Sequence, residues 1–167
     1  DYLANQLINR RLENRARNGG SYLIANVSDD KISRSADLTS VSIVPLNNQW
    51  EKALSDVRGV IADAMETPPS QADIDREFIN IDTFLTKEVE NRQNEPGARQ
   101  VDDMVRAVDI RETLTDPTNQ RELFRSVKPF ATPQALLEAT RKLFSGKATR
   151  AFLSTPVAIL DAEKKLT

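Results

Sequence analysis

The sequence contains no cysteine and no histidine. The first absence rules out disulfides and thiol chemistry. The second removes the imidazole that zinc and copper sites ordinarily use, leaving only carboxylates to hold such metals. Together they exclude Ser-His-Asp and Cys-His nucleophile systems. The catalytic pool shrinks to Asp/Glu pairs, Lys, Tyr and an unassisted Ser or Thr. No apolar run approaches the roughly 18 residues of a membrane-spanning helix. An excess of one charge is missing too. With 23 Lys and Arg against 25 Asp and Glu, the net charge is −2, which leaves no footprint for nucleic acid or an anionic membrane. There is no internal repeat and no low-complexity tract. The first residue is Asp1, without an initiator Met, signal or transit sequence. A targeting segment is therefore expected to have been removed or to lie outside this chain.

What is present suits one ordinary domain over residues 1–167, with 39% hydrophobic and 29% charged residues. A chain of that length buries roughly 70% of the surface it exposes when unfolded. The organising stretch runs from Leu3 to Val44. Leu3, Leu7, Ile8 and Leu12 recur at helical spacing, with Arg10, Arg11, Arg15 and Arg17 mostly on other faces. Asn18-Gly19-Gly20 ends that helix, because glycine takes the left-handed conformation without a Cβ clash. A hairpin is expected next: Tyr22 to Val27 outward, a turn through Asp29-Asp30-Lys31, and a return strand to about Val44.

Downstream the chain reads as helices. Asn48 with Glu51 three residues on has the spacing of a capping box. The helix behind it carries Trp50, Ala53, Leu54, Val57, Val60, Ile61, Ala64 and Met65 as a wide apolar stripe, expected to be core. Thr67-Pro68-Pro69 breaks it. Ser70 caps a third helix striped by Ile74, Phe78, Ile81, Leu85 and Val89, and Pro96-Gly97 marks a turn or break. A fourth helix from Ala98 puts Val101, Val105 and Val108 on one face, with Asp102 and Arg106 at pairing distance in sequence. Asp116-Pro117 and Thr132-Pro133 start two more. Residues 148–155 read as a strand holding Phe152 and Leu153, and Ala162 to Thr167 as a linker or frayed helix. The order predicts an α+β fold: an antiparallel or mixed sheet with helices layered on one face. Three strands make a thin sheet, and a further strand is expected upstream of Asp1.

Candidate chemistry is sparse. Asp29-Asp30 could seed a hard-cation site, but no EF-hand spacing follows, and a polar hairpin turn is the simpler reading. Asp102-Asp103 with Asp109 and Glu112 do not all converge on one helix face, so a solvated charged face is expected. The arginines of the first helix could meet phosphate or a peptide carboxylate, but with Glu13 among them a solvent or domain-interface face is the default. Gly19-Gly20 lacks the lysine and spacing of a phosphate-binding loop.

The segment from Leu12 to Tyr22 resembles the helix-glycine-tyrosine segment of the insulinase-like (pitrilysin-type) zinc peptidases and mitochondrial processing peptidases. The matched pattern is Arg15, Gly19 and Tyr22. Gln49 to Leu54, Pro69 to Arg76 and the late Thr149-to-Pro156 stretch resemble two-module bacterial members, so the similarity runs along nearly the whole chain. The resemblance implies paired homologous α+β domains enclosing a chamber, with zinc on a His-x-x-Glu-His helix. A chain without histidine would then be a non-catalytic domain of a longer protein. It would carry no cofactor itself and expect zinc in the neighbouring catalytic domain. Implied partners are that zinc domain, the second module of the same chain and a peptide substrate, with no nucleic acid and no membrane span. The bacterial periplasm is the implied location. In the family's C-terminal partner domains the matching Arg and Tyr reach the substrate near zinc. That marks Arg15 and Tyr22 as substrate-binding if this is such a domain; in a first-module domain they would cap and pack. The competing reading is a free-standing module that binds an acidic partner through its arginine-rich first helix.

Overall fold

The computed structural model describes residues 1–32, 35–94 and 97–166. The core packs around α1 (Tyr2–Arg17), whose residues Ala4, Leu7, Ile8 and Leu12 form one buried stripe. It lies along β1 (Tyr22–Ile32), which pairs antiparallel with β2 (Ala36–Pro45). It also touches α2 (Trp50–Glu66), α3 (Gln71–Asn91) and α6 (Pro133–Leu143). Between α3 and α6 run α4 (Gly97–Ile110) and α5 (Pro117–Ser126), and α7 (Ala162–Leu166) closes the described chain. This is the expected α+β class. The core joins α1 to Val27, Val57, Ile74, Leu136 and Leu143, so most of its members come from sequence-distant elements.

The hairpin is longer than its sequence suggests. Asp29, Asp30 and Lys31 do not turn; they pair with Thr39, Leu38 and Asp37 inside the ladder. The reversal falls between Ile32 and Ala36, where Ser35 N–H donates to the Ile32 carbonyl at 2.7 Å. Acidic residues are poor strand formers, but a solvated strand tip tolerates them because both charges stay in water. The expected third strand is absent among the described residues: 148–155 has no ladder partner, and Phe152 is 92% exposed. Apolar residues such as Phe152 and Leu153 ask for a face to cover them, whereas a strand also needs an edge to pair with.

Three of the four expected helix caps form. Ser70 accepts from Asp73 N–H, Asp116 from Thr118 N–H and Thr132 from Ala135 N–H. The exception is Asn48. Asn47 and Asn48 both take positive φ (49° and 61°) to turn the chain out of β2, so Gln49 becomes the α2 cap position and makes no side-chain bond. An N-cap needs an extended φ/ψ that a left-handed Asn cannot offer. The α2 stripe also narrows. Ala53, Val57 and Ala64 are buried, while Trp50, Leu54, Val60, Ile61 and Met65 are half-buried. On α4, Val101, Val105 and Val108 face solvent, and among the described residues only Ala107 is buried. Periodicity found that helix but not a surface for it. Of the Pro96-Gly97 turn, Pro96 lies outside the described residues and Gly97 opens α4; Thr167 is likewise outside.

α5 is held on α3 by the stacked rings of Phe78 and Phe124, 4.2 Å apart, with the Lys128 ammonium over Phe78. Arg125 grips Asp82 through two bonds of 2.6 and 2.8 Å, the bidentate geometry that suits guanidinium and carboxylate.

Candidate functional site

The α1–β1 junction concentrates the matched motif. α1 ends at Asn18, and Gly19 takes φ +86°, a conformation open to glycine. Gly20 is needed for a different reason, space. Its N–H donates to the Arg15 carbonyl at 2.9 Å, and a Cβ there would stand 2.9 Å from that same oxygen. Gly20→Ala is therefore expected to cost about 1–3 kcal/mol through overpacking, read as a lowered denaturant midpoint at unchanged slope; a loss within about 0.5 kcal/mol would mean the junction yields.

Those two glycines deliver Ser21 and Tyr22 beneath the helix. Tyr22 is 1% exposed, and its hydroxyl donates to the Leu12 carbonyl at 2.8 Å. Burial pushes the phenol pKa up, opposed by the nearby Arg15 charge. Arg15 points the other way, donating to Asp56 of α2 at 2.9 Å. The other oxygen of Asp56 accepts from Ser21 twice, from the hydroxyl at 2.6 Å and the backbone N–H at 3.0 Å. These bonds, the Ser21 hydroxyl first and Arg15 next, hold the Asp56 carboxyl down at about 2. Arg15 and Tyr22 thus belong to one junction but present different faces of it. Asp56 is the centre that sequence reasoning missed. It lies 35 residues from Ser21 on the polar side of a helix read for its apolar stripe, and no local signal marks it.

Beside this network an open groove of about 470 Å³ runs between α1 and α2, with Gly59 on its wall and the Arg15–Asp56 and Arg11–Asp63 pairs across it. The other arginines of α1 are engaged as well. Arg10 bonds Glu77 at 2.8 Å and Glu13 at 2.9 Å, and Arg17 bonds Glu13. Arg11 adds a bond to the Thr67 carbonyl, capping the end of α2. The helix that reads as a basic surface is tied into the fold by its charges.

The carboxylate candidates do not assemble. Asp29 and Asp30 sit in β1, and Asp102, Asp103, Asp109 and Glu112 are exposed along and beyond α4, with Glu112 3.8 Å from Lys31. Among the described residues no group of three or more Asp and Glu could hold a metal ion. The donor set does not fit zinc.

In fold the chain is similar to part of a protease. It matches the first half of the periplasmic protease PqqL from Escherichia coli with a TM-score of 0.73 and 17% identity, over 85% of this chain and 31% of that one. Against the crystal structure of PqqL itself the TM-score is 0.74 at 17% identity, over 86% of this chain and 16% of that one. The likeness is one of fold, and the chain spans under a third of either structure. No protein-family model matches the sequence, and no curated protein matches it. Among the described residues no helix is long and apolar enough to cross a membrane.

Proposed function

We propose that this chain is a non-catalytic, substrate-enclosing domain of a larger zinc-dependent endopeptidase of the insulinase-like type, acting in the bacterial periplasm. The observation that carries this reading is the fold, shared over most of the chain with part of a periplasmic protease, in a sequence with no histidine or cysteine. The zinc and its His-x-x-Glu-His helix would belong to a neighbouring domain of the same chain. This domain would supply a rigid wall that holds a peptide against that centre, since misplacing a substrate by about 1 Å can cost on the order of a hundredfold in rate. The pairing of all four α1 arginines argues against the alternative of a free-standing module reading an acidic partner, because each guanidinium would first have to leave a carboxylate. For Tyr22 the buried hydroxyl favours packing over substrate contact; Arg15, nearly half exposed, keeps the option of a groove contact.

The test uses the full-length protein and residues 1–167 side by side. Residues 1–167 are expected to cleave no peptide and to retain well under 0.1 zinc per chain after dialysis, the limit expected without imidazole or thiolate donors. The full-length protein is expected to hold zinc and hydrolyse unfolded protein. Near-stoichiometric zinc on residues 1–167, or a full-length protein without peptidase activity, would overturn the reading. Tyr22→Phe in the full-length protein should lower kcat/KM only in proportion to lost stability. An activity loss at unchanged stability would make Tyr22 a substrate contact instead.

A further inference from the structure

α4 is the helix that its own domain leaves uncovered. With 14 residues it is marginal as a free helix in water. Yet among the described residues it packs closely on no other element. At about 100° per residue, Val101, Met104, Val105 and Val108 share one side of the helix, and each is between 52% and 72% exposed. Ala107, which is buried, lies on one border of that stripe. The opposite border carries Asp102 and Asp109, both exposed and nearly in line along the axis because each follows a stripe valine directly. Arg106 is exposed too, but it lies further round, away from the stripe.

The size of the stripe narrows what can cover it. A helix of this length runs about 21 Å and is about 10 Å wide, which gives a face on the order of 200 Å². A separate protein needs about 800 Å² on each side to stay bound. So small a face suits an occupant already tethered to it, because effective concentration then replaces area. A second copy is disfavoured by charge as well. Two α4 stripes packed antiparallel bring like borders together, setting Asp102 of one copy near Asp109 of the other, and like charges across an interface repel. An extended strand fits no better, since a helix has spent its backbone groups internally and offers none to pair with.

We propose that the exposed stripe of α4 is a docking face for an amphipathic helix of the same, longer chain, lying outside residues 1–167 and carrying Lys or Arg along the border that meets Asp102 and Asp109. Its apolar side chains pack on Val101, Val105 and Val108 at an axis separation of about 8–10 Å, as between any two helices. Its cations face the acidic border, which fixes register and direction more than strength. The contact gives α4 the burial that its stripe asks for and its own domain does not supply. The proposal rests on the chain being one part of a larger protein, as its match to 31% of a longer protease chain supports, and not on zinc or peptidase activity. Failure of the peptidase reading shows in metal content and cleavage, whereas failure of this one shows in the accessibility of α4.

Thiol labelling of the full-length protein tests it. Val108→Cys places a small apolar thiol in the stripe, and Arg106→Cys places one on the far side as a control. Each alkylation rate, read by mass spectrometry on the α4 peptide, is divided by the rate in denaturant to remove intrinsic reactivity. The thiol of Val108→Cys should be protected at least about tenfold more than that of Arg106→Cys. Adding Asp102→Lys should cut that protection at least about threefold. A photoreactive cross-linker on Ala98→Cys, one turn before Asp102 and exposed, should join α4 to a peptide outside residues 1–167. Equal protection of the two thiols would overturn the proposal. So would protection that Asp102→Lys leaves intact (an occupant without a basic border), protection that rises with protein concentration (a second copy on α4), or a cross-link to a peptide within residues 1–167.

Discussion

Replacing Leu12 with alanine is expected to destabilise the protein by about 2–5 kcal/mol, the usual range for deleting a fully buried leucine side chain. Leu12 is 0% exposed and lies where α1, β1 and the helical layer converge. Its carbonyl is also the acceptor for the Tyr22 hydroxyl, so any collapse of α1 into the cavity would strain a buried hydrogen bond as well. Denaturant titration reads the loss as a lower midpoint at unchanged slope. Leu54→Ala on α2 is the useful contrast, because Leu54 is half-buried and should lose clearly less. If the two cost the same, α2 rather than α1 would be the hub of the core.

How much of this was legible in the sequence follows from the range of each interaction. Helices whose signal is local were readable: the caps at Ser70, Asp116 and Thr132 act within three residues, and each forms. Asn48 failed because its local signal met a stronger local demand, the reversal out of β2 through two left-handed residues. The expected strand at 148–155 failed for another reason, and Val101, Val105 and Val108 share one face of α4 as read but stay exposed. An apolar stripe or an alternating run states that a face should be covered; it does not supply the surface. Hydrogen-bonded edges behave in the same way: Asn9 bonds both the N–H and the carbonyl of Val27, which a helix pattern could not show.

The candidate site divides along the same line. Arg15, Gly19 and Tyr22 were visible as a spaced motif. Their environment was not, since the Ser21–Asp56 bonds join residues 35 apart and the Arg15–Asp56 bond residues 41 apart. Charge counting saw four arginines as a basic face, whereas pairing with Glu77, Asp63 and Asp56 makes Arg10, Arg11 and Arg15 cross-links between α1 and its neighbours, and Arg17 pairs within α1 with Glu13.

Asp56→Ala is expected to cost about 2–3 kcal/mol at neutral pH. It removes two acceptor contacts from Ser21, a buried residue whose N–H is left unpaired, and such orphaned groups cost about 1–3 kcal/mol each. The released Arg15 costs less, because it is nearly half exposed and can be hydrated. The pH dependence separates this network from simple packing. The folded-state pKa of Asp56 is depressed to about 2 from its ordinary value of 3.8, first by the Ser21 hydroxyl and then by Arg15. The wild type therefore carries the full ionic contribution above about pH 4 and loses it progressively as pH falls toward 2. After solvent screening that contribution is on the order of 1–2 kcal/mol. Unfolding free energies measured from pH 7 down to pH 2 should show the wild type and Asp56→Ala drawing closer by that amount, mostly below pH 4. A constant gap across the range would mean that the carboxylate charge contributes nothing and that Asp56 acts only by filling space beside Ser21.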